Sequence, residues 1–188
     1  MEIKYVPDGM MTEKQKKDVD ILNQTCLAGD TSNPERVEVN MYDWCAPEDG
    51  MFLLFDGETV VGRIAVHKTH TEYNGQDYYL GGFGGLAILP EYQGKGYARQ
   101  LADAALNRAY EIGVEVACMC VEMESGIVDF YQRLGFKFLN RSAYFVNWID
   151  KEKSDDTVMI MGLNNKNLAD EILKTNHKFH YGRNKGHW

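Results

Sequence analysis

Residues 86–101 read LAILPEYQGKGYARQL. An apolar run ends at Pro90, a turn with Gly94 and Gly96 follows, and an amphipathic helix begins directly after the turn. Glycine lets the main chain come close to a ligand, and the first turn of a helix carries free N–H groups at the positive end of its dipole. We therefore predict an anion site in this turn, best matched to a phosphate.

Other phosphate-binding motifs fit this turn less well. A Walker A loop requires Ser or Thr after Gly-Lys, but Gly94-Lys95 is followed by Gly96. Residues 82–87 (GFGGLA) superficially resemble a dinucleotide fingerprint, yet they continue into an apolar run that ends at Pro90, where the fingerprint requires a helix. An ordinary glycine turn before a helix is the simpler alternative.

Three further features follow the turn. Apolar residues repeat at helical spacing from Ala98 to Ile112, and Gly113 ends the helix. Residues 114–121 (VEVACMCV) are apolar at nearly every position, which predicts a strand buried on both faces and, after a helical crossover, parallel to the preceding strand. Residues 129–136 (DFYQRLGF) predict a short helix that Gly135 closes, followed by another strand.

The turn and the short helix together resemble the GNAT acyltransferase superfamily over about residues 80–148. Gln93, Gly96 and Ala98 form the pattern Gln-x-x-Gly-x-Ala, similar to the loop that grips the pyrophosphate of acetyl-coenzyme A in that family. The resemblance implies acetyl-CoA as the co-substrate, no metal, and the adenosine end of the coenzyme near Lys95 and Arg99. The coenzyme-binding residues that it implies are Leu86, Ala87, Ile88, Gln93, Gly94, Lys95, Gly96, Tyr97, Ala98 and Ser125.

The N-terminal half predicts the rest of an α/β (α+β) fold. A capping box at Thr12–Gln15 starts a helix to about Leu27, and Pro34 starts a second helix to about Trp44. Asp56-Gly57 and Asn74-Gly75 predict hairpin turns. The predicted strands are residues 2–6, 51–55, 60–70 and 77–89. We expect one GNAT-type domain over residues 1–188, with a mixed, mostly antiparallel central sheet flanked by helices and a C-terminal extension over residues 150–188.

The family resemblance also implies how acyl transfer would occur. The fourth and fifth strands splay apart so that pantetheine lies between them, and a bulge within residues 81–85 (GGFGG) would allow this. The main-chain N–H of Ile88 would stabilise the oxyanion. Tyr131 would protonate the leaving sulfur, although an aromatic residue that packs the helix onto the sheet is the simpler interpretation. Gly84 and Trp188 would border the acceptor.

The general base is not evident in the sequence. Many family members carry a carboxylate on the fourth strand, where this chain has Gly84 and Gly85. His67, His70 and Glu72 lie on or near the preceding strand and are the candidates, although each also fits a solvated strand residue. A water relay, or an amine that arrives neutral, stays open.

The amino-acid composition limits the classes of binding partner that we expect. The formal net charge of −8 argues against general nucleic-acid or membrane binding and weakly favours a cationic amine. The four cysteines have no CxxC spacing, and Cys118 and Cys120, on one face of a buried strand, are predicted to be reduced core residues; cytoplasm is the default location. Exposed strands at the end of the sheet are compatible with a homodimer.

The C-terminal extension predicts a charged loop over Lys151–Asp156, a strand over Thr157–Met161 and a short helix over Leu168–Lys174. Arg183 and Trp188 keep the spacing of the Arg-x-x-x-x-Trp terminus that it resembles in aminoglycoside 2′-N-acetyltransferases. The acidic residues that would hold a polycationic antibiotic are missing nearby, and a polar tail that ends in Trp is an alternative.

Two functions remain from the sequence. The first is an N-acetyltransferase that transfers the acetyl group of acetyl-CoA to a primary amine of a small molecule by direct attack in a ternary complex. The second is a catalytically degenerate module that binds and senses acyl-CoA. The acceptor, and whether the donor carries a longer acyl chain, stay open.

Overall fold

The computed structural model describes residues 1–27, 48–121, 123, 126–146 and 150–180. The helices are α1 (Glu13–Cys26), α2 (Tyr97–Glu111), α3 (Val128–Leu134) and α4 (Lys166–Lys174). The strands are β1 (Glu2–Pro7), β2 (Glu48–Asp56), β3 (Thr59–Tyr73), β4 (Gln76–Ile88), β5 (Val116–Cys120), β6 (Lys137–Phe138), β7 (Ala143–Val146), β8 (Glu152–Asp155), β9 (Val158–Gly162) and β10 (Phe179–His180). The helix predicted from Pro34 lies outside the described residues.

Seven strands form the central sheet in the order β1-β2-β3-β4-β5-β9-β6. Its neighbours are antiparallel except for β4 and β5, which are parallel because α2 connects them as a crossover. A second sheet has the order β10-β7-β8. The predicted mixed, mostly antiparallel fold is therefore confirmed.

Local signals set the N-terminal elements as predicted. The capping box of α1 is complete, because the Thr12 hydroxyl accepts a hydrogen bond from the Gln15 main-chain N–H and the Gln15 side chain accepts one from the Thr12 N–H at 2.8 Å. Asn74 and Gly75 both have positive φ angles, 51° and 79°, which the tight turn between β3 and β4 requires.

The C-terminal extension has the predicted strand and short helix but differs from the prediction in one segment. The prediction of a charged loop over Lys151–Asp156 was wrong, since β8 forms there and pairs with β7. Alternating exposed side chains suit an edge strand, and the Lys178 ammonium pairs with Glu152 at 2.7 Å. In addition, β9 lies between β5 and β6, so the extension contributes a strand to the central sheet.

The central sheet is covered on both sides. We call the side that packs on α2 and α3 the α2 face, and the side that packs on α1 and α4 the α1 face. The core on the α2 face contains residues of the sheet and of both helices, including Ile64, Val66, Phe83, Leu101, Ala105, Met119 and Tyr131. The α1 face is packed by two clusters, which include Leu22, Leu53, Ala65 and Ala87 near α1 and Tyr73, Tyr78, Cys118, Ile160 and Ile172 near α4. None of the described helices is long and apolar enough to cross a membrane.

Candidate active site

The central sheet opens between β4 and β5. The two strands pair from Leu80 with Val116 to Gly82 with Cys118. Beyond that pair, β4 continues along β3 as far as Ile88, and β5 continues along β9. We call the stretch in which β4 and β5 no longer pair the β4–β5 gap, and its closed end is the last pair, Gly82 and Cys118. Its open end lies toward the end of β4, where the chain leads into α2.

A β-bulge lies on β4 within this gap. Arg63 pairs with Ala87 and Ala65 pairs with Gly84, so one residue of β3 faces two of β4, Gly85 and Leu86. Gly85 has a φ of 59°, which favours glycine. The bulge predicted within residues 81–85 is therefore confirmed, and it lies at the C-terminal end of that range.

Arg63 is a residue of this bulge that the sequence did not reveal. Its Nε donates a hydrogen bond to the Asn23 side chain of α1 at 2.8 Å. Its guanidinium lies over Gly85, so that a Cβ on Gly85 would come within 2.6 Å of the Arg63 Cζ. Only the strand register brings these residues together, and no local sequence signal marks this contact.

The turn before α2 has the features that an anion site needs. Gly94 and Gly96 have φ angles of 72° and 83°, and a Cβ at either residue would meet nothing within 4 Å. Gly96 is the N-cap of α2, and no side chain caps the helix. The first N–H groups of α2, beginning at Tyr97 and Ala98, are therefore left for a ligand or solvent.

The two basic side chains near this turn already have partners in the described structure. The Lys95 ammonium donates to the Glu91 carbonyl at 2.8 Å. Arg99 pairs with Asp103 one helical turn along α2, at 2.8 Å. Both are surface interactions of low energy, so the main chain supplies the fixed part of the anion site.

Ile88 orients its main chain toward the β4–β5 gap. The Leu89 N–H bonds to the Val61 carbonyl of β3, and main-chain groups of successive strand residues alternate in direction. The N–H and carbonyl of Ile88 therefore point away from β3. The carbonyl accepts hydrogen bonds from the Gln93 side chain at 2.8 Å and from the Cys26 thiol at 3.4 Å. Gln93 thus ties the turn to the end of β4.

Tyr131 lies in the core of the α2 face. It is 8% exposed, and its ring packs edge-on against Phe130 and Phe136 with centroid distances of 5.1 and 6.0 Å. A small cavity next to it is lined also by Phe83 of β4 and Met119 of β5, the strands that border the gap. Burial raises the pKa of the Tyr131 phenol to about 12. Tyr131 therefore packs the helix and keeps its proton at neutral pH.

The three candidate bases occupy different surroundings. His67 is 4% exposed on the α1 face of β3, together with the buried threonines Thr69 and Thr71. His70 is exposed and lies 3.8 Å from Asp77. Glu72 is exposed at the hairpin, where its carboxylate accepts a hydrogen bond from a main-chain N–H of the turn. His67 alone of the three is enclosed next to the glycines of β4.

The remaining predicted positions have varied placements. Leu86 is half-buried against the core of the α2 face, and Ala87 is buried near α1. Gly84 lies on β4 just before the bulge. Ser125, Arg183 and Trp188 lie outside the described residues, as does the aminoglycoside-like terminus.

The residues present fit a coenzyme A molecule in two respects. The glycine turn and the uncapped start of α2 offer main-chain donors to a pyrophosphate. The β4–β5 gap exposes strand edges whose main-chain groups, such as Ile88 N–H, suit an extended arm with amide groups. In the described part of the chain, no group of three His, Cys, Asp or Glu side chains could hold a metal ion.

Solved structures share this fold. One is the GNAT family N-acetyltransferase YhbS from Escherichia coli in complex with CoA, with a TM-score of 0.61 and 17% identity over 95% of this chain and 87% of that chain. Another is PH1933 from Pyrococcus horikoshii OT3, with a TM-score of 0.59 and 20% identity over 86% and 98%. A third is a chain of the NatC complex bound to Gag peptide and CoA, with a TM-score of 0.57 and 17% identity over 87% and 99%.

The sequence itself identifies the class of protein. The model of the acetyltransferase (GNAT) family matches residues 19–136, which is more than half of the chain. The chain therefore belongs to the GNAT acetyltransferase family. No curated protein matches the sequence.

Proposed function

We propose that this protein transfers the acetyl group of acetyl-CoA to a primary amine of a small molecule, by direct attack in a ternary complex. The observation that carries this proposal is the β4–β5 gap, which begins after Gly82 and Cys118 and opens toward the uncapped, glycine-rich start of α2. A single extended ligand with a phosphate end and a thioester end fits such a space.

When bound, acetyl-CoA supplies an acetyl group as a thioester, whose carbonyl carbon accepts a nucleophile. The N–H groups at the start of α2 would hold the pyrophosphate, because they carry the positive end of the helix dipole. The Ile88 N–H would donate to the carbonyl oxygen as negative charge develops there. Gly84 would border the acceptor amine, since it lies at the bulge and adds no side chain to the site.

Tyr131 would deliver the proton that the leaving thiolate requires. Its phenol is protonated at neutral pH, because burial raises its pKa to about 12. A coenzyme thiol titrates near 8.5, so the sulfur regains the proton readily once the C–S bond breaks. This role is compatible with the packing of the ring, since only the hydroxyl takes part.

The experiment that tests the proposal is thiol release from acetyl-CoA by the full chain, with a panel of amines that includes aminoglycosides, polyamines, amino acids and peptide N-termini. Turnover with a small amine supports the proposal, and the best amine names the acceptor class. Turnover restricted to peptide N-termini would contradict the small-molecule acceptor.

A second candidate is a module that binds acyl-CoA without turnover. The glycines at positions 84 and 85, where a carboxylate is common in the family, favour it. Tight coenzyme binding in calorimetry together with no thiol release on any amine would support this second function. Absence of coenzyme binding would contradict both functions.

A further inference from the structure

The part of β4 that borders the β4–β5 gap is accessible to solvent at the bulge. Gly84, Gly85 and Leu86 are partly exposed, whereas residues 81–83 and 87–88 on either side of them are buried. Gly84 and Gly85 have no side chain that could fill this opening. A small molecule that approaches β4 from solvent therefore reaches it at the bulge.

The bulge is close to the carbonyl that the proposed function holds at the Ile88 N–H. Ile88 pairs with Gly62 of β3, and Gly84 pairs with Ala65, three residues further along the same strand. Because a strand rises about 3.3 Å per residue, the bulge lies between these two rows and at most about 10 Å from Ile88. A small acceptor can therefore have its amine at the carbonyl and its other end at the bulge.

The packing of the sheet leaves the acceptor the α1 face. On the α2 face, the side chains of Phe83, Leu86 and Ile88 pack against the core that α2 and α3 cover. The cavity beside Tyr131 on that face has a volume of about 10 Å³, which is at most the room that one water molecule needs. An acceptor amine therefore approaches the carbonyl from the α1 face.

Arg63 places a positive charge at this point of the α1 face. Its neighbour Ile64 packs in the core of the α2 face, so the Arg63 side chain points the other way. Its Nε donates a hydrogen bond to Asn23 at 2.8 Å, and its Nη1 donates a weak one to the Met51 sulfur at 3.9 Å. The guanidinium lies over Gly85, where a Cβ would come within 2.7 Å of Nη1. Arg63 is itself partly exposed, so its charge can be reached from the opening.

This charge discriminates between acceptor amines. An arginine is always protonated, and its planar guanidinium pairs side by side with a carboxylate. A second ammonium group at the same place would face a like charge, which costs affinity. The Arg63 guanidinium therefore favours an acceptor that carries a carboxylate and disfavours a diamine.

We propose that the acceptor is a small amino acid, whose amine is acetylated at Ile88 and whose carboxylate pairs with Arg63 at the bulge. This inference rests on the proposed function and names its acceptor class. The neutral amine forms a C–N bond to the acetyl carbon, and the C–S bond breaks with its electron pair leaving on sulfur. The proton that the amine gives up balances the proton that the sulfur takes up.

The first test compares acceptors that differ in one group. γ-Aminobutyrate, butylamine and putrescine have the same number of carbons, and glycine and β-alanine with their matched amines extend the series to shorter acceptors. We expect kcat/KM, measured by thiol release, to be about 10- to 100-fold higher for the best amino acid than for its matched alkylamine, and lowest for the diamine. Equal or higher values for the alkylamine or the diamine would overturn the inference and leave the proposed function intact.

Variants of Arg63 show whether this residue causes the preference. Arg63→Gln should bring the ratio of kcat/KM for the amino acid over the alkylamine close to one, and Arg63→Lys should retain part of the preference because it keeps the charge. Arg133→Gln changes an exposed arginine of α3 and is the matched control, which should keep the wild-type ratio. An unchanged ratio in Arg63→Gln, with folding checked by denaturant titration, would overturn the inference.

The second test does not depend on turnover. The N-acetyl forms of the same amino acids and alkylamines are titrated by calorimetry into the full chain loaded with CoA. We expect the best N-acetyl amino acid to bind about 10- to 100-fold more tightly than its matched amide, and Arg63→Gln to remove this difference. Equal affinities, or binding of neither compound, would overturn the inference even if amines are acetylated. Tighter binding of the N-acetyl amino acid without thiol release on any amine would support the inference and contradict only the proposed function.

Discussion

The two ends of the β4–β5 gap are built from different parts of the chain. At the open end, the main chain of the turn from Gln93 to Ala98 forms the anion site, while Lys95 and Arg99 make surface interactions of their own. Further along the gap, side chains of β3 meet the glycines of β4: the Arg63 guanidinium lies over Gly85 at the bulge, and His67 pairs with Gly82 at the closed end.

This difference separates binding from chemistry. A main-chain site depends on positive φ angles and a helix start, which a short run of residues encodes. A side-chain site depends on strand register, which brings residues about twenty positions apart into one row. Changes in the turn from Gln93 to Ala98 should therefore alter coenzyme affinity, and changes at the bulge should alter turnover.

The largest expected effect is that of Tyr131→Phe on turnover. The variant keeps the ring that packs against Phe130 and Phe136 and removes only the hydroxyl. Loss of a positioned acid typically lowers rates by about 100- to 10,000-fold. We expect kcat to fall in this range with little change in coenzyme affinity, measured by thiol release and calorimetry.

Tyr78→Phe is the matched control for this prediction. The Tyr78 hydroxyl is buried on the α1 face and has no hydrogen-bond partner in the described structure. Its removal should leave kcat unchanged and raise the free energy of unfolding by about 1 kcal/mol, because an unsatisfied polar group is lost. Equal losses of activity in both variants would mean that Tyr131 acts only through packing.

The next effect in size is that of Gly96→Val on coenzyme affinity. Valine at a φ of 83° distorts the N-cap of α2 and moves the first N–H groups away from a bound phosphate. A hydrogen bond to a charged group contributes about 1.5–3 kcal/mol, so the Kd for acetyl-CoA should rise by about 10- to 100-fold. Calorimetry measures this change.

Gly113→Val separates strain from binding. Gly113 follows the other end of α2, has a φ of 80° and also has open space around a Cβ. Both variants should lose similar amounts of stability, about 1–2 kcal/mol, but Gly113→Val should retain coenzyme affinity. If the two variants bind equally well, the turn is not the phosphate site.

The sequence predicted most of the central sheet because its signals are local. The Thr12 capping box, the Asn74-Gly75 turn and the glycine that closes α3 each act within a few residues, and each is confirmed. The position of β9 between β5 and β6 was not predicted, because pairing of distant strands depends on the packing of both faces. The same limit explains β8, whose charged residues form an edge strand only when β7 is beside them.

The residues of the candidate site also differ in how far the sequence alone could predict them. The turn at Gln93–Ala98 was found from six residues, and its geometry is that of an uncapped helix start. From the sequence, His67, His70 and Glu72 are equally suitable as bases, because it does not show which of these side chains the fold buries. Burial of His67 beside Gly82 distinguishes them in the structure. The contact of Arg63 with Gly85 also requires the fold.

A third prediction concerns this contact at the bulge. Gly85→Ala places a methyl group where the Arg63 guanidinium lies, so the guanidinium must move away from Asn23. Gly57→Ala has the same φ of 59° but open space, and it isolates the cost of the backbone. We expect Gly85→Ala to lower the free energy of unfolding by roughly 2 kcal/mol more than Gly57→Ala, through the lost charged hydrogen bond.

Denaturant titration of both variants measures this difference. Gly85→Ala should also lower kcat, since the bulge borders the acceptor amine in the proposed site, and should leave coenzyme affinity close to that of the wild type. A large loss of coenzyme affinity in Gly85→Ala would remove the separation of the two ends, because the bulge would then serve binding as well.

The smallest expected effect is the alkaline stability of the Tyr131 environment. The pKa of Tyr131 is raised to about 12 in the folded protein, whereas an unfolded tyrosine titrates near 10. Above about pH 10 the unfolded chain therefore binds fewer protons than the native chain, and stability falls as pH rises toward 12. The loss of stability that Tyr131 contributes is roughly 0.8 kcal/mol at about pH 10.5.

Tyr131→Phe should lack this contribution. The difference in the free energy of unfolding between variant and wild type, measured by denaturant titration, should therefore change by that amount between about pH 9 and 10.5. A constant difference would mean that the Tyr131 phenol ionises at its ordinary pKa. Tyr131 would then be partly hydrated rather than enclosed in the core of the α2 face.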